Sequence, residues 1–250
     1  MQDQEYHVLA ALEQRHWWYR SLRRRVVERL QREASRQGHA LKVFDAGCGT
    51  GGMLAELQAQ ASIACTAGCD LHPLALTYAH ERGLKVVESS VNELPVGGDT
   101  LYDAVISLDV LYHRQVDPPR ALAGMAAMLR PGGLLLINVA AMPCLERRHD
   151  RRVMGGRRYL ADGLSRQVRA VGLQPESVSY WNSWLTPLLW LQTRLEALLP
   201  EGDDNQNSDL SLPPIWINNL LIGLLQWEER VSRSLPLPWG SSLMLLARRP

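Results

Sequence analysis

Residues 41–52 read Leu41-Lys42-Val43-Phe44-Asp45-Ala46-Gly47-Cys48-Gly49-Thr50-Gly51-Gly52, and the fold turns on this stretch. Leu41, Val43 and Phe44 form a short apolar run of the kind that fills a buried parallel strand, and the run ends on Asp45. Glycine then occupies positions 47, 49, 51 and 52, and helix-forming residues begin at Met53. The pattern predicts a strand, a tight turn and a helix start. Glycine suits such a turn because the backbone bends sharply and must approach a ligand closely, while the unpaired N–H groups of the following helix attract a carboxylate or phosphate. Asp45 adds a negative charge at the rim. That charge repels a dinucleotide pyrophosphate and favours a ligand carrying an amino group.

Outward from this stretch, composition sets bounds. The 250 residues suffice for one α/β domain with an elaboration, or for two small domains. Lys and Arg number 27 against 26 Asp and Glu, so no global basic field argues for a nucleic-acid partner. Arginine greatly outnumbers lysine, which favours local carboxylate or phosphate contacts. Cys48, Cys65, Cys69 and Cys144 form no CxxC pair, which points to a reduced, cytoplasmic setting and to no metal site. The polar N-terminus does not read as a signal peptide, and the apolar stretches near 184–191 and 215–225 are too short and interrupted to span a bilayer.

The rest of the chain alternates strand and helix patterns. Residues 4–33 carry apolar and aromatic side chains at helical spacing, with a break near Trp17 and Trp18. Residues 53–60 continue as a helix, and 62–69 form a second strand that ends on Asp70. An acidic residue about 20 positions beyond the glycines can accept hydrogen bonds from ribose hydroxyls, and Leu71 would lie against an adenine face. Residues 84–88 and 101–108 read as further strands, the latter leading into Leu108-Asp109-Val110-Leu111-Tyr112-His113. A helix over 118–129 then meets the turn Arg130-Pro131-Gly132-Gly133, which launches an apolar strand over 134–139. Residues 160–171 read as a helix, and 173–181 and 242–247 as two closing antiparallel strands. Between those strands lie about 60 residues, far more than a hairpin needs. They hold helical segments near 184–199 and 214–234, separated by an acidic loop.

The spacing Asp45-x-Gly47-x-Gly49-x-Gly51 resembles motif I of the class I S-adenosylmethionine-dependent methyltransferases. The Leu94-Pro95 loop, the Leu108-Asp109-Val110-Leu111 strand end and the Leu129-Arg130-Pro131-Gly132-Gly133 turn recur in the same order in the methyltransferase type 11 group. The resemblance covers residues 41–141 and thins beyond them. It implies a Rossmann-like α/β fold: a seven-stranded, mostly parallel sheet with flanking helices. Around that core the sequence adds an N-terminal helical cap over 1–37 and a helical lid over 183–239, leaving 38–182 plus 240–250 as the cofactor-binding domain.

The resemblance further implies S-adenosyl-L-methionine as cofactor, held by Asp45, Ala46, Gly47, Cys48, Gly49, Gly51, Asp70, Leu71 and Leu108. The related loop often carries an aspartate that accepts from the adenine amino group. Here Ser90 stands in that place, with Val91 and Asn92 as the other candidates. Segments like His16-Trp17-Trp18-Tyr19-Arg20 precede motif I in many bacterial relatives, so Trp18 would close over the cofactor while Arg20 or Arg23 pairs with its carboxylate. The alternative is a tryptophan staple with a solvated arginine face.

Methyl transfer from a sulfonium asks mainly for alignment and exclusion of water, with a base only where the nucleophile must lose a proton. His113 is the leading candidate base, with Tyr112 and Asp109 orienting it or lining the pocket; the alternative for His113 is a structural cap on the next helix. His149, Arg151, Arg152, Tyr159 and Trp184, in and around an arginine-rich stretch beside the aromatic insertion, suit an acceptor with an anionic head and an apolar body. That acceptor is a small or lipid-like molecule. The insertion could instead meet a second subunit or a membrane surface. Two rivals are a nicotinamide-dependent reductase, suggested by the literal GxGxxG of Gly47, Gly49 and Gly52, and a cofactor-binding protein without turnover.

Overall fold

A computed structural model describes residues 3–95, 101–146, 155–198 and 211–250. At its centre lies a seven-stranded sheet in the order β3-β2-β1-β4-β5-β7-β6. The strands are β1 (Leu41–Ala46), β2 (Ile63–Asp70), β3 (Val86–Glu88), β4 (Tyr102–Leu108), β5 (Leu129–Ala140), β6 (Gln174–Trp181) and β7 (Ser242–Arg248). Strands β1 to β5 pair in parallel, and β7 runs antiparallel between β5 and β6. Strand order reverses on either side of β1 and β4, so a crevice opens beyond their carboxyl ends.

The helices α1 (Asp3–Leu12), α2 (Trp17–Gln37), α3 (Gly52–Gln58), α4 (Pro73–Glu81), α5 (Pro118–Met128), α6 (Ala161–Ala170), α7 (Thr186–Leu198) and α8 (Ile215–Ser232) cover the sheet. On one face Phe44, Val105, Leu135 and Leu245 pack with Leu122 and Met125 of α5 and Leu164 of α6. On the other, Val43, Ile106, Leu136 and Met244 meet Leu22, Val26 and Leu30 of α2 together with Trp181 and Leu225. Strands buried on both faces need near-continuous apolar runs, which is why β1, β4 and β5 were legible.

The N-terminal segment breaks four residues earlier than Trp17. His16 takes an extended backbone (φ −68°, ψ 132°), and its Nδ1 accepts the Trp18 N–H at 3.3 Å to cap α2. The expected lid over 183–239 requires correction in part. Helix α8 does not cover the crevice: it packs alongside α2, because Arg25 and Arg29 of α2 pair with Glu229, and Arg25 with Glu228. Among the described residues of the insertion, α7 alone reaches the crevice, through Leu189. Among the described residues no helix is long and apolar enough to cross a membrane.

Candidate functional site

A cavity of 610 Å³ lies beyond the carboxyl ends of β1, β2 and β4, walled by the glycine turn, the first two helices and the segment after β4. The turn is pinned to β2, because Gly47 and Cys48 donate their N–H groups to the Cys69 carbonyl at 2.9 and 2.8 Å. Gly47 has φ +90°, and any Cβ there would strike the Val110 side chain. Gly49 donates its N–H to Asp70 Oδ2 at 2.8 Å, and Asp70 Oδ1 accepts the His72 N–H at 3.0 Å. A carboxylate has acceptor capacity left for two ribose hydroxyls after those bonds. Exposed Leu71 stands beside it on the wall, together with Ser90, Val91 and Leu108.

Asp45 is buried at the end of β1, and its Oδ1 has no hydrogen-bond partner among the described residues. Burial, seconded by the charge of Asp70, pushes its carboxyl up to about 8. An orphaned buried carboxyl beside a glycine turn fits a ligand that brings its own cationic amino group. The residues present therefore suit S-adenosylmethionine: Asp45 for the amino group, Asp70 for the ribose, and Leu71, Ser90 and Val91 for the adenine.

Several expected cofactor residues stand elsewhere. Ala46 is fully buried in the core and presents its carbonyl to Ser107 Oγ. Gly51 (φ +83°) faces Leu84 and Ala79, so it is required for packing of α3 against α4 rather than for ligand contact. Asn92 is consumed in bracing the next loop: its amide donates to the Gln115 carbonyl at 2.9 Å and accepts the Asp117 N–H at 2.8 Å. Arg20 is exposed and turns to a small cleft against α8, while Arg23, three residues on and on the inner helical face, lines the main cavity. Trp18 lines the cavity and is stacked on Trp181 at 5.6 Å.

The same cavity is lined by Asp109, Tyr112 and His113 of the segment after β4, and by Arg157, Arg158 and Asn182. Asp109 adopts φ +59°, unusual for a non-glycine residue, which turns it out of the β4 ladder. Its N–H donates to the Asn138 carbonyl at 2.8 Å, and its Oδ2 accepts from Asn138 Nδ2 at 3.0 Å. Burial raises its carboxyl to about 7, opposed by the Asn138 hydrogen bond and the charge of Arg158. The rings of Tyr112 and His113 lie 4.5 Å apart. Two expected acceptor residues are not on this wall. Tyr159 is buried and donates its hydroxyl to the Leu111 carbonyl at 2.9 Å, which fixes the post-β4 segment from behind. Trp184 is exposed and packs on Trp227 at 5.2 Å. His149, Arg151 and Arg152 lie outside the described residues.

Sequence reasoning passed over Glu13, although it is buried on the wall, receives the Thr50 hydroxyl at 2.8 Å and pairs with Arg82 at 2.6 Å. It also passed over Asn138 and Trp181, whose apolar surroundings disguise them as core. Among the described residues no group of His, Cys, Asp and Glu could hold a metal ion.

Several known proteins resemble this chain. A "probable tRNA methyltransferase 9B" of Mus musculus is 32% identical over 147 residues, covering 58% of this chain and 32% of that protein. A ubiquinone biosynthesis O-methyltransferase of Parvibaculum lavamentivorans is 34% identical over 113 residues, covering 43% of this chain and 44% of that one. The chain thus spans less than half the length of either relative. A geranyl diphosphate methyltransferase structure with bound S-adenosylmethionine superposes with TM-score 0.53 at 17% identity, over 84% of this chain and 79% of that one, and so shares the fold. A family model described as a methyltransferase domain matches residues 15–184, which takes in the aromatic segment, the glycine turn, Asp70 and Asp109. That match takes in more than half of the chain, and the chain belongs to the S-adenosyl-L-methionine-dependent methyltransferases of this family.

Proposed function

We propose that the methyl acceptor is a small or lipid-like molecule with an anionic head group, and that Asp109 takes its proton. Bound S-adenosylmethionine supplies an electrophilic methyl group on a sulfonium. The carrying observation is the chemistry of the cavity lining: Arg157 and Arg158 share it with Leu145, Leu189, Val116 and Tyr112. Guanidinium groups match a carboxylate or phosphate, and the apolar side chains match a body that water does not favour. Asp109 lines the same cavity, and its raised carboxyl is suited to accepting a proton near neutral pH. His113 and Tyr112 line the same wall and orient the acceptor. Trp18 and Leu22 exclude water from the side of α2.

The tRNA-methyltransferase relatives raise a second reading, an RNA acceptor. Against it stands the balanced charge of 27 basic and 26 acidic residues, which provides no extended field for a phosphate backbone. The same reading assigns the exposed apolar side chains of α7 and α8, among them Leu188, Trp190, Trp216 and Leu220, to a membrane surface or a second copy of the chain.

Labelled S-adenosylmethionine incubated with total tRNA, and separately with amphipathic phenols and carboxylic acids, tests the acceptor. Label in organic-extractable products supports the proposal, and label confined to RNA overturns it. With a working acceptor, Arg157→Ala plus Arg158→Ala should raise its KM on the order of tenfold or more, with cofactor affinity unchanged.

A further inference from the structure

We propose that Asn138 and Trp181 are positioning residues for Asp109, and that the helical insertion serves this site by holding the Trp181 indole in place. The inference rests on the reading of Asp109 as the residue facing the acceptor.

The geometry forms one connected series. Asn138, fully buried on β5, holds Asp109 twice: its carbonyl accepts the Asp109 N–H at 2.8 Å, and its side-chain Nδ2 donates to Asp109 Oδ2 at 3.0 Å. An asparagine amide can present either its oxygen or its nitrogen to a neighbour, and the wrong choice would face oxygen against the carboxylate. Trp181 removes that choice, because indole is a donor only and its Nε1–H donates to Asn138 Oδ1 at 2.8 Å. The indole itself is clamped. Trp18 stacks on one side at 5.6 Å, and the Arg25 guanidinium lies 5.0 Å from the ring centroid. Arg25 is in turn held at 3.6 Å by Glu228 and at 3.7 Å by Glu229, both on α8.

Glu228 also receives the backbone N–H groups of Asn182 and Ser183, each at 2.7 Å, so the segment directly after Trp181 is fixed by the same carboxylate. The insertion therefore acts on the acceptor wall from behind, as a buttress, and its exposed face need not touch the acceptor. Among the described residues, Asp109 is also linked electrostatically to Arg158, whose charge favours the ionised carboxyl, and to Tyr19, whose phenol is raised by burial and by Asp109. Neither fixes the carboxylate direction as the Asn138 amide does.

The test uses the full chain labelled with 13C at aspartate carboxyls and followed by NMR against pH, with the Asp109 signal assigned by its loss in Asp109→Asn. In the parent the midpoint should lie near neutrality. Trp181→Phe, which keeps the stacked ring and removes only the N–H, and Asn138→Leu, which removes the donor outright, should each move that midpoint upward, by about half a unit or more. The acid limb of the methyl-transfer rate should move with it, and kcat near pH 7 should fall while recovering at higher pH. A merely structural role would lower activity equally at every pH and leave the midpoint alone. An unchanged Asp109 midpoint in Trp181→Phe, or an ordinary carboxylate midpoint in the parent, overturns the proposal. Should Asn138→Leu fail to fold, the Trp181→Phe result decides. Because the NMR readout needs no acceptor, an error in the proposed acceptor class leaves this result standing.

Discussion

Asp45 shows how a binding residue and a stabilising residue differ at the scale of one side chain. Its carboxyl, ordinarily at 3.8, is pushed to about 8 in the fold, so the folded state favours the protonated form. A group raised in this way contributes stability that is fully present below its unfolded value and lost as pH rises through the folded one. Asp45→Asn cannot ionise and escapes that loss. Its melting temperature should exceed the parent's by about 2 °C or more at pH 8, with the gap closing toward pH 4, while cofactor affinity collapses. In the parent, a cationic amino group requires the ionised form, so binding below about pH 8 releases a proton. Calorimetry in buffers of different ionisation enthalpy should show that proton, and affinity should rise with pH between about 5.5 and 7.5. A pH-independent affinity with no proton release would contradict the assignment of Asp45 to the amino group.

Among the elements, α1 behaves as a strap over the cofactor crevice. Tyr6 stacks on His72 at 4.2 Å, His7 Nδ1 and the Tyr78 hydroxyl are 2.6 Å apart, and Glu13 joins Thr50 of the glycine turn to Arg82. These contacts are polar or aromatic and tie the N-terminal segment to α4 and the glycine turn, with little apolar burial beneath α1 beyond Tyr6. An element held this way opens more readily than the core. Glu13→Ala should therefore speed cofactor dissociation on the order of tenfold in stopped-flow measurements and expose residues 3–16 to trypsin, with the chemical step unaltered. Unchanged dissociation would assign α1 a purely structural role. The break that makes the strap was partly legible: the aromatic cluster at 16–19 marks it, but only the cap made by His16 fixes where α2 begins.

At the scale of the whole molecule, α2 and α8 are joined by charges removed from water. Glu228 is 1% exposed and accepts three backbone N–H groups, those of Asn182, Ser183 and Trp184. Replacing one partner of a buried ion pair leaves the other uncompensated, which costs about 3–5 kcal/mol. Glu228→Ala should lower the urea midpoint accordingly, with an unchanged m-value; a loss within the range of a surface substitution, about 0.5 kcal/mol, would show that the network is not needed to join the two helices. This joint is also why α8 packs along α2 and not over the crevice.

The sequence by itself determined the sheet and the family. Buried parallel strands need apolar runs, a tight strand-to-helix turn needs glycine, and both requirements are local in the chain, so β1, the turn of Gly47 and Gly49, and the strand ending on Asp70 were legible from pattern and spacing. The tertiary structure decided everything that depends on which face of an element turns inward. It set Arg23 rather than Arg20 against the cavity, used Asn92 as a brace, buried Tyr159 behind the wall, and brought Glu13 to the glycine turn across 37 residues. It also joined Asn138 to Trp181 across 43 residues. Such partners leave no periodic signal, because a hydrogen bond between distant strands constrains two side chains without constraining the residues between them.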